Sequence, residues 1–153
     1  MALTGEYQNV IDEKGRLMIP AKLRSEFGAN GLYVTRGIEN NNLMVLPSVV
    51  FDELLDQISG TNATSMFDKK VRTLQRALIT PAEKLEFDSN GRIIIPQRLR
   101  ALIGLEPKSS VLVLGVGRYL ELWKKETYDQ YLLDDCLDID ELTQSLYQEN
   151  KER

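Results

Sequence analysis

Two short clusters carry the candidate chemistry of this chain. Asp12, Gly15 and Arg16 recur as Asp88, Gly91 and Arg92, each time as Asp-x-x-Gly-Arg. A carboxylate four residues before a guanidinium, with a glycine able to take positive φ between them, predicts a tight hairpin tip. Such a tip carries the guanidinium away from the core. There it can bond phosphate oxygens or pair bidentately with a guanine edge. The neighbouring Asp can hold the Arg stem in one orientation and lower the entropy cost of docking. The same ion pair can also serve only to tie the turn, and the two roles are compatible. Asp12, Asp88, Gly15 and Gly91 are therefore read as loop-structuring residues, and Arg16 and Arg92 as ligand-facing ones.

Basic side chains follow each cluster. Lys14 shares the first loop, and Lys22 and Arg24 come after Pro20. Arg98 and Arg100 come after Pro96 in the same places. All of this lies in a longer duplication: residues 11–28 return as residues 87–104, with eight of eighteen positions identical. A doubled unit implies a pseudo-symmetric body that presents one surface twice. The tips differ, because Glu13 and Lys14 become Ser89 and Asn90. The second tip thus lacks one negative and one positive charge, and it is Lys14, beside Arg16, that puts an extra cation on the first.

Each unit reads as strand, tight loop, strand, short helix and two further strands. The first unit has strands at 6–11, 16–19, 32–35 and 43–46. The second has them at 85–88, 92–95, 111–114 and 119–123. Pro20 and Pro96 suit the first turn of a helix. Leu23 with Phe27, and Leu99 with Ile103, form the apolar faces, and Gly28 and Gly104 end the helices. Helical spacing follows each unit: Phe51, Leu54, Leu55 and Ile58; Phe67, Val71, Leu74 and Leu78 in one helix over 65–79; Tyr128, Tyr131 and Leu132; and Ile139, Leu142 and Leu146. These stripes are read as core or subunit contact. Half-units of about 45 residues are too small to bury a good core, so the two should interlock.

Composition narrows the function classes. The chain has 153 residues, 42% of them apolar, and no histidine. That removes the commonest general base and metal ligand, and with it any His-based triad. No enzyme, cofactor or metal site is expected. The single Cys136 excludes an intrachain disulfide and is read as a small helix residue. No run of 18 apolar residues suggests a membrane span, and the first residues do not read as a secretion signal. The net charge is −4, yet residues 124–153 hold four basic and nine acidic side chains. The other 123 residues therefore sum to +1, so global charge is a poor guide to the field around the Arg-bearing loops.

With these motifs in place, residues 5–28 and 82–104 resemble the MraZ family. The likeness rests on Glu6, Tyr7, the Asp12–Arg16 loop and Ile19, Pro20, Lys22, Leu23 and Arg24 in the first unit. In the second it rests on the Asp88–Arg92 loop with Pro96, Arg98, Leu99 and Arg100. The resemblance implies an α+β fold of two pseudo-symmetric AbrB-like swapped-hairpin β units forming a small barrel, with flanking helices. The implied layout is repeat 1 at 5–47, a helical connector at 48–80, repeat 2 at 81–124 and C-terminal helices with an acidic tail at 125–153. It implies a cytoplasmic, nucleoid-associated transcriptional regulator that binds double-stranded promoter DNA of the division and cell wall gene cluster as a ring-shaped homo-oligomer. DNA binding would run through the loops of Arg16 and Arg92, with Lys14 beside the first; Lys22, Arg24, Arg98 and Arg100, on the polar side of the short helices, are read as further DNA contacts or as a solvated face. The rival reading is an antitoxin-like module of the same fold, whose helices grip a protein partner.

Overall fold

The computed structural model describes residues 2–39, 41–60, 65–135 and 138–152. Strands β1 (Glu6–Val10) and β2 (Arg16–Met18) flank the first turn, and α1 (Ala21–Arg24) starts directly after Pro20. Then come β3 (Leu32–Arg36), β4 (Asn42–Pro47) and α2 (Ser48–Ser59). A 3-10 turn (Ser65–Phe67), α3 (Lys69–Leu74) and a π-helical turn (Gln75–Ile79) lead to the second unit. That unit contains β5 (Glu83–Leu85), β6 (Arg92–Ile94), α4 (Gln97–Leu102), β7 (Ser110–Gly115) and β8 (Leu120–Lys124). Helices α5 (Lys125–Asp134) and α6 (Ile139–Glu152) follow.

The antiparallel pairing interleaves the two units. Six strands form one sheet in the order β1-β7-β8-β4-β3-β5. Exchanging the units reverses this order and leaves it otherwise unchanged. β1 of the first unit lies on β7 of the second, and β5 of the second lies on β3 of the first. β4 and β8 meet at the centre, Val45 opposite Leu120. β2 and β6 form a separate two-stranded ribbon, Leu17 opposite Ile93. The interlocking expected from the small size of each half is thus realised by strand pairing.

Leu17, Ile19, Ile93, Ile95 and Leu99 are fully buried, in one cluster with Leu32, Val34, Leu43, Val45, Val111, Val113, Leu120 and Leu122. Burying each such side chain stabilises the fold by about 1.5–3 kcal/mol. Strand alternation sends other residues to a second layer. Met44 and Leu46 pack with Phe51 and Leu78 beneath α2 and the π turn, where Tyr33 stacks on Phe51 at 4.0 Å. Leu112, Leu114 and Trp123 pack with Tyr128 and Tyr131 of α5, so these aromatic rings serve packing.

Several expectations need correction. The described strands form no closed barrel: β1 and β5 remain edges, because β2 and β6 leave the sheet to pair with each other. The helix expected over 65–79 is broken. Asp68 accepts a hydrogen bond from the Lys70 peptide N–H and starts a new helix, and the ladder then widens to a π turn. Of the stripe at Phe67, Val71, Leu74 and Leu78, only Leu78 is buried, and Phe67 is 76% exposed. The strand expected at 85–88 lies earlier, at Glu83–Leu85, where it pairs with β3, and Phe87 beyond it makes an edge-on contact with Phe27 at 5.6 Å. Ile139, Leu142 and Leu146 of α6 are exposed. Cys136 lies outside the described residues.

Candidate nucleic-acid interface

Each Asp-x-x-Gly-Arg turn is wired by its own carboxylate. Asp12 Oδ1 accepts the peptide N–H groups of Lys14 and Arg16 at 2.9 and 2.8 Å, and Oδ2 accepts Arg16 Nε–H at 2.6 Å. Asp88 makes the same three bonds, to the peptide N–H groups of Asn90 and Arg92 and to Arg92 Nε, each at 2.9 Å. The Gly15 and Gly91 peptide N–H groups close the turns on the Asp12 and Asp88 carbonyls, and both glycines have φ of +80°. Both carboxyls are held below the ordinary value of 3.8. The chief cause is the peptide N–H of the loop arginine, and its guanidinium acts in the same direction. Because Nε carries the ion pair, the two terminal Nη nitrogens of Arg16 and Arg92 stay outside it.

The β2–β6 pairing sets where the arginines point. Leu17 and Ile93 face inward at 0% exposure, so Arg16, Met18, Arg92 and Ile94 share the outer face. Arg16 stands opposite Ile94, and Met18 opposite Arg92. The arginines occupy one diagonal of this four-residue face, about 7–8 Å apart for such a register. The two loops, 76 residues apart in sequence, are thus brought onto one surface. Met18 and Ile94 were not singled out from sequence; three-residue strands give too short an alternation to show their outer positions.

The helix arginines have another task. Ile19 N–H donates to the Gly91 carbonyl at 3.2 Å, and Ile95 N–H to the Gly15 carbonyl at 2.8 Å. Over these contacts lie arginines from the opposite unit. Arg24 Nη1 donates to the Asn90 carbonyl at 3.2 Å, and a Cβ on Gly91 would overlap this guanidinium. Arg100 Nε donates to the Ile95 carbonyl at 2.8 Å, and a Cβ on Gly15 would come within 2.7 Å of Arg100 Cζ. Each glycine is favoured by its positive φ, and a Cβ there would also displace the guanidinium that the other unit lays over it. Arg24 and Arg100 are therefore half-buried against main chain, whereas Lys14, Lys22 and Arg98 are exposed. Arg98 lines a shallow pocket with Arg36 and Arg76. Among the described residues, no group of three or more acidic or Cys side chains is placed to hold a metal ion.

Residues 2–77 and 78–147 each match the model of one protein family, described as MraZ protein with an antitoxin-like character. The transcriptional regulator MraZ of Treponema denticola is 40% identical over 144 residues, covering 94% of this chain and 96% of that protein. Its namesake in Leuconostoc mesenteroides is 34% identical over 142 residues, covering 93% and 94%. That of Finegoldia magna is 34% identical over 141 residues, covering 92% and 94%.

Two outcomes are expected from the turn geometry. Gly91→Ala should cost about 1–3 kcal/mol from backbone strain at positive φ. Adding Arg24→Ala should recover part of that loss, while adding Arg100→Ala should be additive. Denaturant unfolding of the single and double variants measures both; equal coupling to the two arginines would contradict the cross-unit clamp. The second outcome concerns pH. A lowered folded pKa means that Asp12 and Asp88 stabilise the fold in full above the unfolded value, and that this is lost as pH falls from about 4 toward the lowered values. The melting difference between wild type and Asp12→Asn/Asp88→Asn should therefore be largest near neutrality and shrink below pH 4.

Proposed function

This chain belongs to the MraZ family, and on that premise we propose that it is a sequence-specific regulator that binds double-stranded DNA through the paired Asp-x-x-Gly-Arg loops. The relatives' name, transcriptional regulator, supports the class. The observation that carries the reading is the β2–β6 ribbon, which puts Arg16 and Arg92 on one outer face with their stems tied by Asp12 and Asp88. A two-stranded ribbon is narrow enough for the major groove. Lys14 adds charge beside Arg16, and Lys22 and Arg98 are exposed for phosphate contact. Arg24 and Arg100 act by holding the opposite loop in place.

The finer reading is regulation of the division and cell wall gene cluster, with repeated promoter elements each engaging one subunit. The repeats are two AbrB-like swapped-hairpin units at 5–47 and 81–124, joined by the helical connector 48–80 and followed by 125–153. The location is cytoplasmic and nucleoid-associated. A near-neutral subunit makes few cationic contacts, so tight binding calls for several linked subunits acting at high effective concentration. Self-association is supported by exposed Met66, Phe67 and Leu74 near α3 and by Ile139, Leu142, Leu146 and Tyr147 on α6. Light scattering coupled to size exclusion should give a mass above a dimer; a monomer at micromolar concentration would overturn this part. The second reading, an antitoxin-like protein-binding module, is favoured by the acidic, apolar-striped α6. Stoichiometric capture of a basic protein through α6, without affinity for duplex DNA, would establish it instead.

The DNA reading is tested with duplexes selected from a random pool and with random duplex, titrated at several salt concentrations. Arg16→Ala and Arg92→Ala should each weaken binding while leaving fold and assembly intact, and Arg16→Ala should be the more damaging because of Lys14. A lost phosphate contact weakens all sequences and lowers the salt slope by about 0.9. A lost guanine contact costs about 1–3 kcal/mol on the selected site and little on random DNA. Wild-type affinity in the double variant would leave the arginines a purely turn-tying role.

A further inference from the structure

Two of the four side chains on the outer ribbon face are apolar. Met18 is 38% exposed and Ile94 56% exposed, while their strand neighbours Leu17 and Ile93 are wholly buried. They occupy the diagonal opposite to Arg16 and Arg92, so each guanidinium has an apolar side chain directly across the ribbon. Such facing pairs have Cβ atoms about 5 Å apart. Met18 is also held in place: Arg24 Nη1 lies 3.9 Å from its Sδ, and Asn9 Nδ2 donates to its carbonyl at 2.9 Å. A face built only to grip phosphate would gain nothing from two apolar groups between its cations.

The major groove displays one apolar group, the 5-methyl of thymine, beside the acceptors that arginine bonds. We infer that Met18 and Ile94 read thymine methyl groups in the duplex that Arg16 and Arg92 engage. The cation and the apolar group of each facing pair then meet adjacent bases, which stack at about 3.4 Å. The unit exchange that relates Arg16 to Arg92 relates Met18 to Ile94 by the same register, so the contact is made twice. This inference rests on the DNA-binding reading.

The test replaces thymine by deoxyuridine throughout duplexes selected by the wild-type protein from a random pool. Uracil keeps the same hydrogen-bonding edge and loses only the methyl. Wild-type affinity should fall by about fourfold for one lost methyl contact and about fifteenfold for two, as expected from burying single carbon groups. Met18→Ala/Ile94→Ala should bind the thymine duplex more weakly and no longer distinguish thymine from uracil. Circular dichroism and melting would verify that this variant is folded, and the uracil arm with wild-type protein is independent of folding in the variant. Equal wild-type binding to thymine and uracil duplexes would overturn the inference and leave the DNA reading standing. An unchanged thymine preference in the folded double variant would overturn it too. Failure of the wild-type protein to bind any duplex would overturn both.

Discussion

The structure depends on a mutual lock between two turns. The Gly15 carbonyl accepts from Ile95, and the Gly91 carbonyl accepts from Ile19, so each turn is hydrogen-bonded to the strand end of the other unit. Between these bonds Leu17 and Ile93 face each other and are removed from water. The approach is so close that a Cβ on either glycine would push aside the guanidinium laid over it. Each turn is shaped by its own Asp, and the other unit fixes where that turn sits. The turn supplies the carbonyl, the other unit supplies the donor and the covering guanidinium, and a core shared by both makes separation costly.

This lock gives the outer face its character. A surface arginine ordinarily samples many rotamers and loses that freedom on docking. Here Nε is already committed to Asp12 or Asp88, and the carboxylate is itself held by two peptide N–H groups. What remains free is the pair of terminal nitrogens, presented in a fixed plane. The side-chain freedom that each stem would lose on docking is thus already largely removed by the turn itself. The acidic residues concentrate after position 124, in sequence segments other than the loops.

The two units are alike without being identical, and the differences fall where a ligand would notice them. Lys14 at the first tip is Asn90 at the second, and the Asn90 carbonyl accepts from Arg24. Arg100 bonds its own unit's Ile95 carbonyl while covering Gly15. Met18 is matched by Ile94, a longer and more adaptable side chain by a branched one.

The local features were legible in the sequence because local physics sets them. Asp, Gly and Arg at fixed offsets specify the turns, Pro20 and Pro96 start the short helices, and the repetition of all of these specifies a body of paired halves. The strand positions followed for the most part from alternation. The sequence could not say which strand pairs with which, since a ladder between residues far apart leaves no periodic trace. That pairing turned an expected barrel into an open sheet with a separate ribbon, and it alone placed Arg16, Arg92, Met18 and Ile94 on one face. It also drew Arg24 and Arg100, read from sequence as DNA contacts or part of a solvated helix face, onto the opposite loops. The break at Asp68 escaped the helical pattern because apolar spacing runs straight through it, and a capping side chain decides the matter there. Sequence spacing fixed what each turn is, whereas contacts between distant segments decided what the two turns together present.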